Sequence, residues 1–339
     1  MRKKHTKISV LNGPTNIAFT NTDKAETIAD SLQNQFPLNN LNDTATENLV
    51  THTINEFNKT ENFPPLSTPN PTDIIKYIRK VNIHKAPGSD GITNNMLRNL
   101  PIITLIKIIH IINNIFKHKY FPISWRVAIV VPILKPGKDP TDPTSYRPIS
   151  LLPTLSKVTE HFILTQLNEH LNNNNILIRY QFDFKPKLST TYQLLRAVEF
   201  ITFGFENRFS TGAVFLDIQK AFDRVWINGL MHFAAPVENS LSSERAIDAG
   251  VVQGSKVGPY LFNIYVTDIP SPRNCQTKIC LFADDTAVMS TGAFDHVMTS
   301  LNDYLDQLGR WLIRWKVQVN SDKCQSVYFT RRRSTPNPP

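Results

Sequence analysis

The sequence predicts an α+β fold for a chain of 339 residues. Apolar residues recur at helical spacing over residues 23–36, 102–118 and 298–316. Runs rich in β-branched and aromatic residues cover 125–134, 212–217 and 278–289. A chain of this length is enough for one large or two ordinary domains with a hydrophobic core.

The composition favours a nucleic-acid partner and an intracellular setting. Lysine and arginine number 37 against 28 acidic residues, a formal net charge of +9, which suits a polyanion. Cys275, Cys280 and Cys324 are odd in number and lack metal-ligand spacing, as is typical of a reducing compartment. No apolar run follows the basic Met1–Lys4, and Ile102–Phe116 is too short and too polar to span a bilayer. We therefore predict no membrane partner.

Residues 1–65 are predicted to form a partly helical connector. Its first helix spans 23–36, with Thr22 as the N-cap, and a weaker one covers 46–58. The proline cluster Phe63–Pro71 marks the boundary with a domain of residues 66–339.

Helices dominate the first half of this domain. The pattern predicts helices over 72–81, 102–118, 155–171 and 190–203, with the β-rich run 125–134 between the second and the third. Proline-punctuated loops flank that run and contain Lys135 and Arg147. Arginine suits phosphate oxygens, although lone basic residues are also ordinary on a surface.

Two acidic elements follow. Asp217 ends the predicted strand 212–217, before a helix-like stretch 221–230, and Asp284 and Asp285 lie at the tip of a predicted hairpin. Adjacent carboxylates repel each other, and a divalent cation would offset that repulsion. Taken singly, Asp217 also suits a helix N-cap, and the Asp284–Asp285 pair suits an ordinary turn.

A glycine-containing segment stands between these acidic elements. Gly250 and Gly254 would allow close backbone approach to a ligand, and Gln253 precedes a helix-like run to Val266. The chain then continues through a helix over 298–316 and a strand over 325–330. Three carboxylates on a strand and a later hairpin can converge on two Mg²⁺ ions ~4 Å apart. That arrangement, in a basic chain, predicts nucleotidyl transfer on nucleic acid.

The ordered motifs resemble the reverse transcriptase domain of non-LTR (LINE-type) retrotransposons of the jockey-like kind. The resemblance covers about residues 66–330 and rests on the segments Lys85–Ile92, Trp125–Leu152, Ser189–Thr191, Phe215–Trp226, Gly250–Ser255, Phe282–Asp285 and Trp315–Lys323. It implies a right-hand polymerase fold, with fingers over about 66–210, an antiparallel palm sheet with packed helices over about 211–330, and no thumb.

The resemblance also implies a role for each matching residue. Asp217, Asp284 and Asp285 would be the metal carboxylates, helped by the Ile218 carbonyl. Phe222 would exclude a ribose 2′-hydroxyl. The remaining nucleotide-binding positions would be Lys135, Arg147, Gln253, Gly254 and Lys323, the last as proton donor to pyrophosphate. The implied cofactor is two Mg²⁺ ions, or Mn²⁺. The implied partners are an RNA template, a DNA primer and dNTPs. The expected location of the protein is intracellular: the nucleus at the site of action, or the cytoplasm together with the element RNA.

Several departures from the family predict an incomplete copy with reduced or no activity. The segment 227–248 is short, and Val252, Asp183 and Lys185 replace a usual proline, glycine and arginine. The chain is also expected to lack the thumb and the N-terminal endonuclease. The alternative is a non-catalytic nucleic-acid-binding remnant. A nucleotidyl cyclase and a group II intron maturase match the motifs before Asp217 less well.

Overall fold

The structure, a computed structural model, describes residues 8–13, 17–59, 66–233 and 249–332. The chain divides into two compact units. The first unit contains the described parts of 1–37, 58–170 and 236–258, and the second contains those of 38–57, 171–235 and 259–339. Within the described ranges, no helix is both long enough and apolar enough to cross a bilayer.

The fold is a mixture of helices and antiparallel strands, as predicted. The helices are α1 Asn21–Gln33, α2 Thr44–Lys59, α3 Pro71–Lys80, α4 Asn94–Arg98, α5 Ile102–His118, α6 Ile123–Arg126, α7 Thr154–Asn173, α8 Thr190–Glu206, α9 Ile227–Phe233, α10 Gly258–Tyr265 and α11 Phe294–Arg314. The strands are β1 Leu11–Asn12, β2 Ile17–Ala18, β3 Ile129–Leu134, β4 Tyr146–Leu151, β5 Ser210–Asp217, β6 Thr277–Phe282, β7 Asp285–Gly292 and β8 Gln325–Phe329.

The first unit packs helices around an isoleucine-rich core. Ile74 and Ile78 of α3, Leu105 and Ile112 of α5, and Val158 of α7 are all buried there. The apolar spacing of these helices turns one face of each toward the others. Beside this core, β3 and β4 form an antiparallel ribbon.

The second unit is built on a four-stranded antiparallel sheet in the order β6-β7-β5-β8. Phe200 of α8 is buried against Ala213, Cys280 and Met289 on the sheet. At Gly212 of β5, an added Cβ would lie 2.8 Å from both Leu301 and Val297 of α11. Glycine here lets α11 lie close to β5, the strand that ends at Asp217.

Some predicted elements begin elsewhere. Residues 219–224 form turns instead of the start of a helix, because Lys220 adopts a left-handed φ of +51°, and α9 begins at Ile227. The N-cap of α1 is Thr20, whose hydroxyl accepts from Asp23 in a capping box, and not Thr22. Trp125 lies in α6, so the predicted β-rich run starts only at Ile129. The predicted short segment 227–248 is described only as far as Phe233, and residues 234–248 lie outside the described residues.

Part of the predicted connector makes specific contacts within the second unit. Asn39 donates to the Lys316 carbonyl at 2.7 Å and accepts from the Arg224 guanidinium at 2.6 Å. The Lys316 ammonium is buried, donates to the Leu41 carbonyl at 2.6 Å, and forms an ion pair with Glu47 of α2. Residues 38–57 are therefore fastened to the second unit by buried polar bonds.

Candidate active site

The strand register brings two of the predicted metal carboxylates side by side. Asp217 is the last residue of β5 and Asp285 is the first residue of β7, and they pair directly across the sheet. Directly opposite side chains in an antiparallel pair have Cβ atoms about 5 Å apart, and like charges at such positions repel. Their oxygens are also the donors that Mg²⁺ prefers. The pair therefore fits a divalent cation.

Asp284 lies in the turn beside this pair. Phe282 and Asp285 are paired in the β6–β7 hairpin, so Ala283 and Asp284 form a two-residue loop. The predicted hairpin is therefore present, with Asp284 in its turn and Asp285 at the start of β7. Within the described ranges, however, no three His, Cys, Asp or Glu side chains converge to hold a metal ion. The structure gathers two carboxylates at this edge and does not gather all three.

Lys323 contacts one carboxylate of the pair, that of Asp217. Its ammonium lies 3.2 Å from Asp217 Oδ2 in a partly exposed ion pair. Lys323 ends a short 3₁₀ turn, Ser321–Lys323, which is tied to β5 by the Asn320 amide donating to the Asp217 carbonyl at 2.8 Å. Ile218 pairs with Val319 in the same connection. The structure thus brings Lys323 and Ile218 to Asp217.

Phe222 lies in the turn after β5, five residues beyond Asp217. Its half-buried ring packs at 4.6 Å from the Phe262 ring and edge-on at 6.0 Å from the Phe184 ring, both between centroids. Phe184 has a left-handed φ of +55°, whereas Asp183 does not. Asp183 therefore takes the place of the usual glycine without left-handed backbone strain of its own. Stacking fixes the Phe222 ring from two sides.

Lys135 and Arg147 belong to the first unit, where Arg147 lies in β4 and Lys135 directly follows β3. Arg147 is exposed and pairs with Ile133, and the Lys135 amide donates to the Ser145 carbonyl at 2.9 Å, which continues the ladder one residue beyond β3. Because side chains alternate along such a ladder, the two cations project from the same face of the ribbon. The Lys135 ammonium also donates to the Thr144 carbonyl at 2.9 Å.

Gln253 and Gly254 also belong to the first unit, in a loop held by two anchors. The Ser150 amide donates to the Gln253 carbonyl at 2.8 Å. Gly254 has a φ of +120°, and an added Cβ would lie 2.3 Å from the Ser150 carbonyl oxygen. Gly254 therefore lies close to the β4 backbone, whereas the approach to a ligand predicted for Gly250 and Gly254 stays a prediction.

Glu160 of α7 is the second anchor, which sequence reasoning missed. Its carboxylate accepts from the Ser255 hydroxyl at 3.1 Å and the Lys256 amide at 2.7 Å. Burial raises the pKa of the Glu160 carboxyl, while these two hydrogen bonds act in the opposite direction. The apolar periodicity of α7 gives no signal for it, because Glu160 is two residues from both Val158 and Phe162 and so lies on the opposite side of the helix.

Gln181 was missed as well. Its side-chain amide hydrogen-bonds the backbone of Ala283, in the turn that carries Asp284. In the sequence it is one polar residue beside aromatic neighbours, and only the fold shows that it reaches residues a hundred positions later.

Comparison with known proteins identifies the family. The family described as reverse transcriptase (RNA-dependent DNA polymerase) matches residues 133–336, more than half of the chain. The chain belongs to the reverse transcriptase family. The match contains Asp217, Asp284 and Asp285, and it ends beyond Lys323.

Three relatives from Drosophila melanogaster show which reverse transcriptases this one is similar to. It is 34% identical over 300 residues to the probable RNA-directed DNA polymerase from transposon X-element, covering 81% of this chain and 33% of the relative. It is 33% identical over 343 residues to the RNA-directed DNA polymerase from mobile element jockey, covering 92% of this chain and 37% of the relative. It is 34% identical over 293 residues to the probable RNA-directed DNA polymerase from transposon BS, covering 78% of this chain and 32% of the relative. The predicted resemblance to jockey-like elements is confirmed, and the chain spans about a third of the length of these curated relatives.

Proposed function

We propose that this chain is the polymerase portion of a jockey-like mobile element, which copies an RNA template into DNA by adding dNTPs to a primer 3′-hydroxyl. The observation that carries the proposal is the direct pairing of Asp217, at the end of β5, with Asp285, at the start of β7, within the residues that match the reverse transcriptase family. The four-stranded sheet of the second unit would be the palm, and the helices and ribbon of residues 66–210 would supply the fingers.

In this proposal the paired aspartates hold the metal ions. Asp217 and Asp285, joined by Asp284 and the Ile218 carbonyl, would bind Mg²⁺ or Mn²⁺. Bound divalent ions stabilise the charge on the attacking and leaving oxygens of a phosphoryl transfer. Lys323, now hydrogen-bonded to Asp217, supplies an ammonium proton for the pyrophosphate oxygen.

The other predicted residues select and hold the nucleotide. Lys135 and Arg147 share one face of a ribbon, which suits them to bind triphosphate oxygens. Phe222, fixed by stacking on Phe184 and Phe262, would block a ribose 2′-hydroxyl. Gln253 and Gly254 form a backbone surface that the base pair being formed can pack against.

Primer extension on a homopolymer RNA template with Mg²⁺ or Mn²⁺ tests the proposal. We expect dNTP incorporation that Asp285→Asn lowers about 100-fold or more, a loss of about 2.7 kcal/mol of transition-state stabilisation. Asp306→Asn, at an exposed position of α11, is the matched control and should leave incorporation unchanged. Equal incorporation by wild type and Asp285→Asn would contradict the assignment.

One observation favours the second candidate, a nucleic-acid-binding remnant without chemistry. The match to X-element spans 300 aligned positions, but it includes only 81% of this chain, which is about 275 of its 339 residues. The relative thus has about 25 positions in the matched stretch that this chain lacks. This candidate predicts RNA binding that weakens steeply with salt and gives no incorporation.

A further inference from the structure

The turn that carries Asp284 is strained. Ala283, the first residue of the two-residue loop, has a φ of +51°, a left-handed conformation that costs a residue with a Cβ about 1–2 kcal/mol. Such a conformation persists only where the surroundings hold it in place. The position of Asp284 and Asp285 relative to Asp217 depends on whatever holds this turn.

A single buried side chain bonds both backbone groups of Ala283. The Gln181 side-chain amide donates from Nε2 to the Ala283 carbonyl at 3.0 Å, and its Oε1 accepts from the Ala283 amide at 3.0 Å. The same oxygen accepts from the Asp183 amide at 3.0 Å. Gln181 is fully buried, so water does not compete for these bonds.

The backbone that carries Gln181 is itself fixed to β6. The Phe182 amide donates to the Leu281 carbonyl at 3.0 Å, and the Leu281 amide donates to the Tyr180 carbonyl at 3.1 Å. Gln193 of α8 reinforces this junction by donating to the carbonyls of Tyr180 and Leu281 at 2.9 and 2.8 Å. Gln181 and Leu281 thus form a short parallel pairing, which fixes the backbone of Gln181 beside β6.

We propose that Gln181 is a positioning residue that sets the Asp284–Asp285 turn for metal binding. The proposal rests on the function proposed above, since it takes these aspartates to be metal ligands. Groups that orient a metal's ligands through hydrogen bonds typically change metal affinity 10–100-fold when removed. Gln181 acts through the backbone of Ala283, between strand β6 and the two acids.

Substitution of Gln181→Met in the full chain tests this role, because methionine keeps the length of the side chain and removes its hydrogen bonds. We expect Mn²⁺ affinity, measured from free Mn²⁺ by EPR, to fall at least about tenfold. We also expect the Ala283 amide to lose its protection from hydrogen exchange, measured by NMR. Gln193→Met is the matched control. It removes the side-chain hydrogen bonds of Gln193 to Tyr180, Leu281 and Arg196. It removes none from Ala283, so it should lower Tm without either change.

The outcomes separate this proposal from the function on which it rests. Unchanged Mn²⁺ affinity and a still-protected Ala283 amide in Gln181→Met would overturn it, as would identical losses in both variants. If wild type fails to bind Mn²⁺, the assignment of the aspartates as metal ligands is wrong. Loss of hydrogen-exchange protection at Ala283 in Gln181→Met alone would still show that Gln181 fixes the turn. If Gln181→Met does not fold, Gln181→Asn replaces it. Its amide is one methylene shorter and cannot span both groups, so the same two losses are expected.

Discussion

Two turns, one in each unit, carry predicted site residues and contain a residue with left-handed backbone, and they are held in different ways. In the β6–β7 turn, Ala283 takes a φ of +51° although its side chain opposes it. In the loop after residue 250, Gly254 takes a φ of +120° with a carbonyl oxygen where its Cβ would be. The first turn tolerates a Cβ at a cost, and the second has no room for one.

The groups that hold the two turns differ in chemistry. A neutral amide, Gln181, bonds the backbone of Ala283. A buried carboxylate, Glu160, bonds the residues that follow Gly254. An amide does not titrate, whereas the Glu160 carboxyl does, with a pKa that burial raises. The stability of the turn at Ala283 should therefore depend on local backbone strain, and that of the loop at Gly254 on steric contact and pH.

The largest change in the free energy of unfolding is expected for a substitution at Gly254. Gly254→Ala places a Cβ 2.3 Å from the Ser150 carbonyl oxygen in an unfavourable φ, so the free energy of unfolding should fall by about 3 kcal/mol or more. Gly91→Ala is the matched control, because Gly91 has a φ of +67° with nothing near its Cβ position. It should cost only about 1 kcal/mol. Equal losses in urea denaturation would show that the Ser150 contact is relieved at little cost.

The sequence predicts the acids of the site better than the groups that support them. Alternation and turn residues are local signals, and they place Asp217 at a strand end and Asp285 beside a hairpin turn. Gln181 and Glu160 act through contacts about a hundred positions away, which local patterns do not record. The turn at Lys220 was likewise missed, because helix-forming residues follow it and the left-handed φ is imposed by the fold.

A smaller effect of opposite sign is expected at Ala283. Ala283→Gly relieves the left-handed strain, so the free energy of unfolding should rise by about 1 kcal/mol in thermal denaturation. Ala287→Gly is the control, because Ala287 lies within β7 and has no left-handed strain to relieve. This substitution should lower the free energy of unfolding by about 0.5–1 kcal/mol. Destabilisation by both substitutions would mean that the Gln181 hydrogen bonds remove the strain at Ala283.

The smallest effect is expected at Glu160, where the hydrogen bonds from Ser255 and Lys256 oppose the effect of burial. Because burial raises the pKa of this carboxyl, the folded chain keeps a proton that the unfolded chain has already released. Stability should therefore fall as pH rises from the ordinary glutamate pKa through the raised one, and Glu160→Gln should flatten that fall. The measurement is urea denaturation at a series of pH values.

Glu169→Gln, at an exposed position of the same helix, removes the same charge and should leave the pH dependence unchanged. The paired variants thus isolate burial from net charge, since both lower the acidic count by one. A pH profile that Glu160→Gln leaves as steep as that of wild type would mean that the carboxylate stays ionised in the fold. Hydrogen bonds would then outweigh desolvation, and the Gly254 loop would be held as independently of pH as the turn at Ala283.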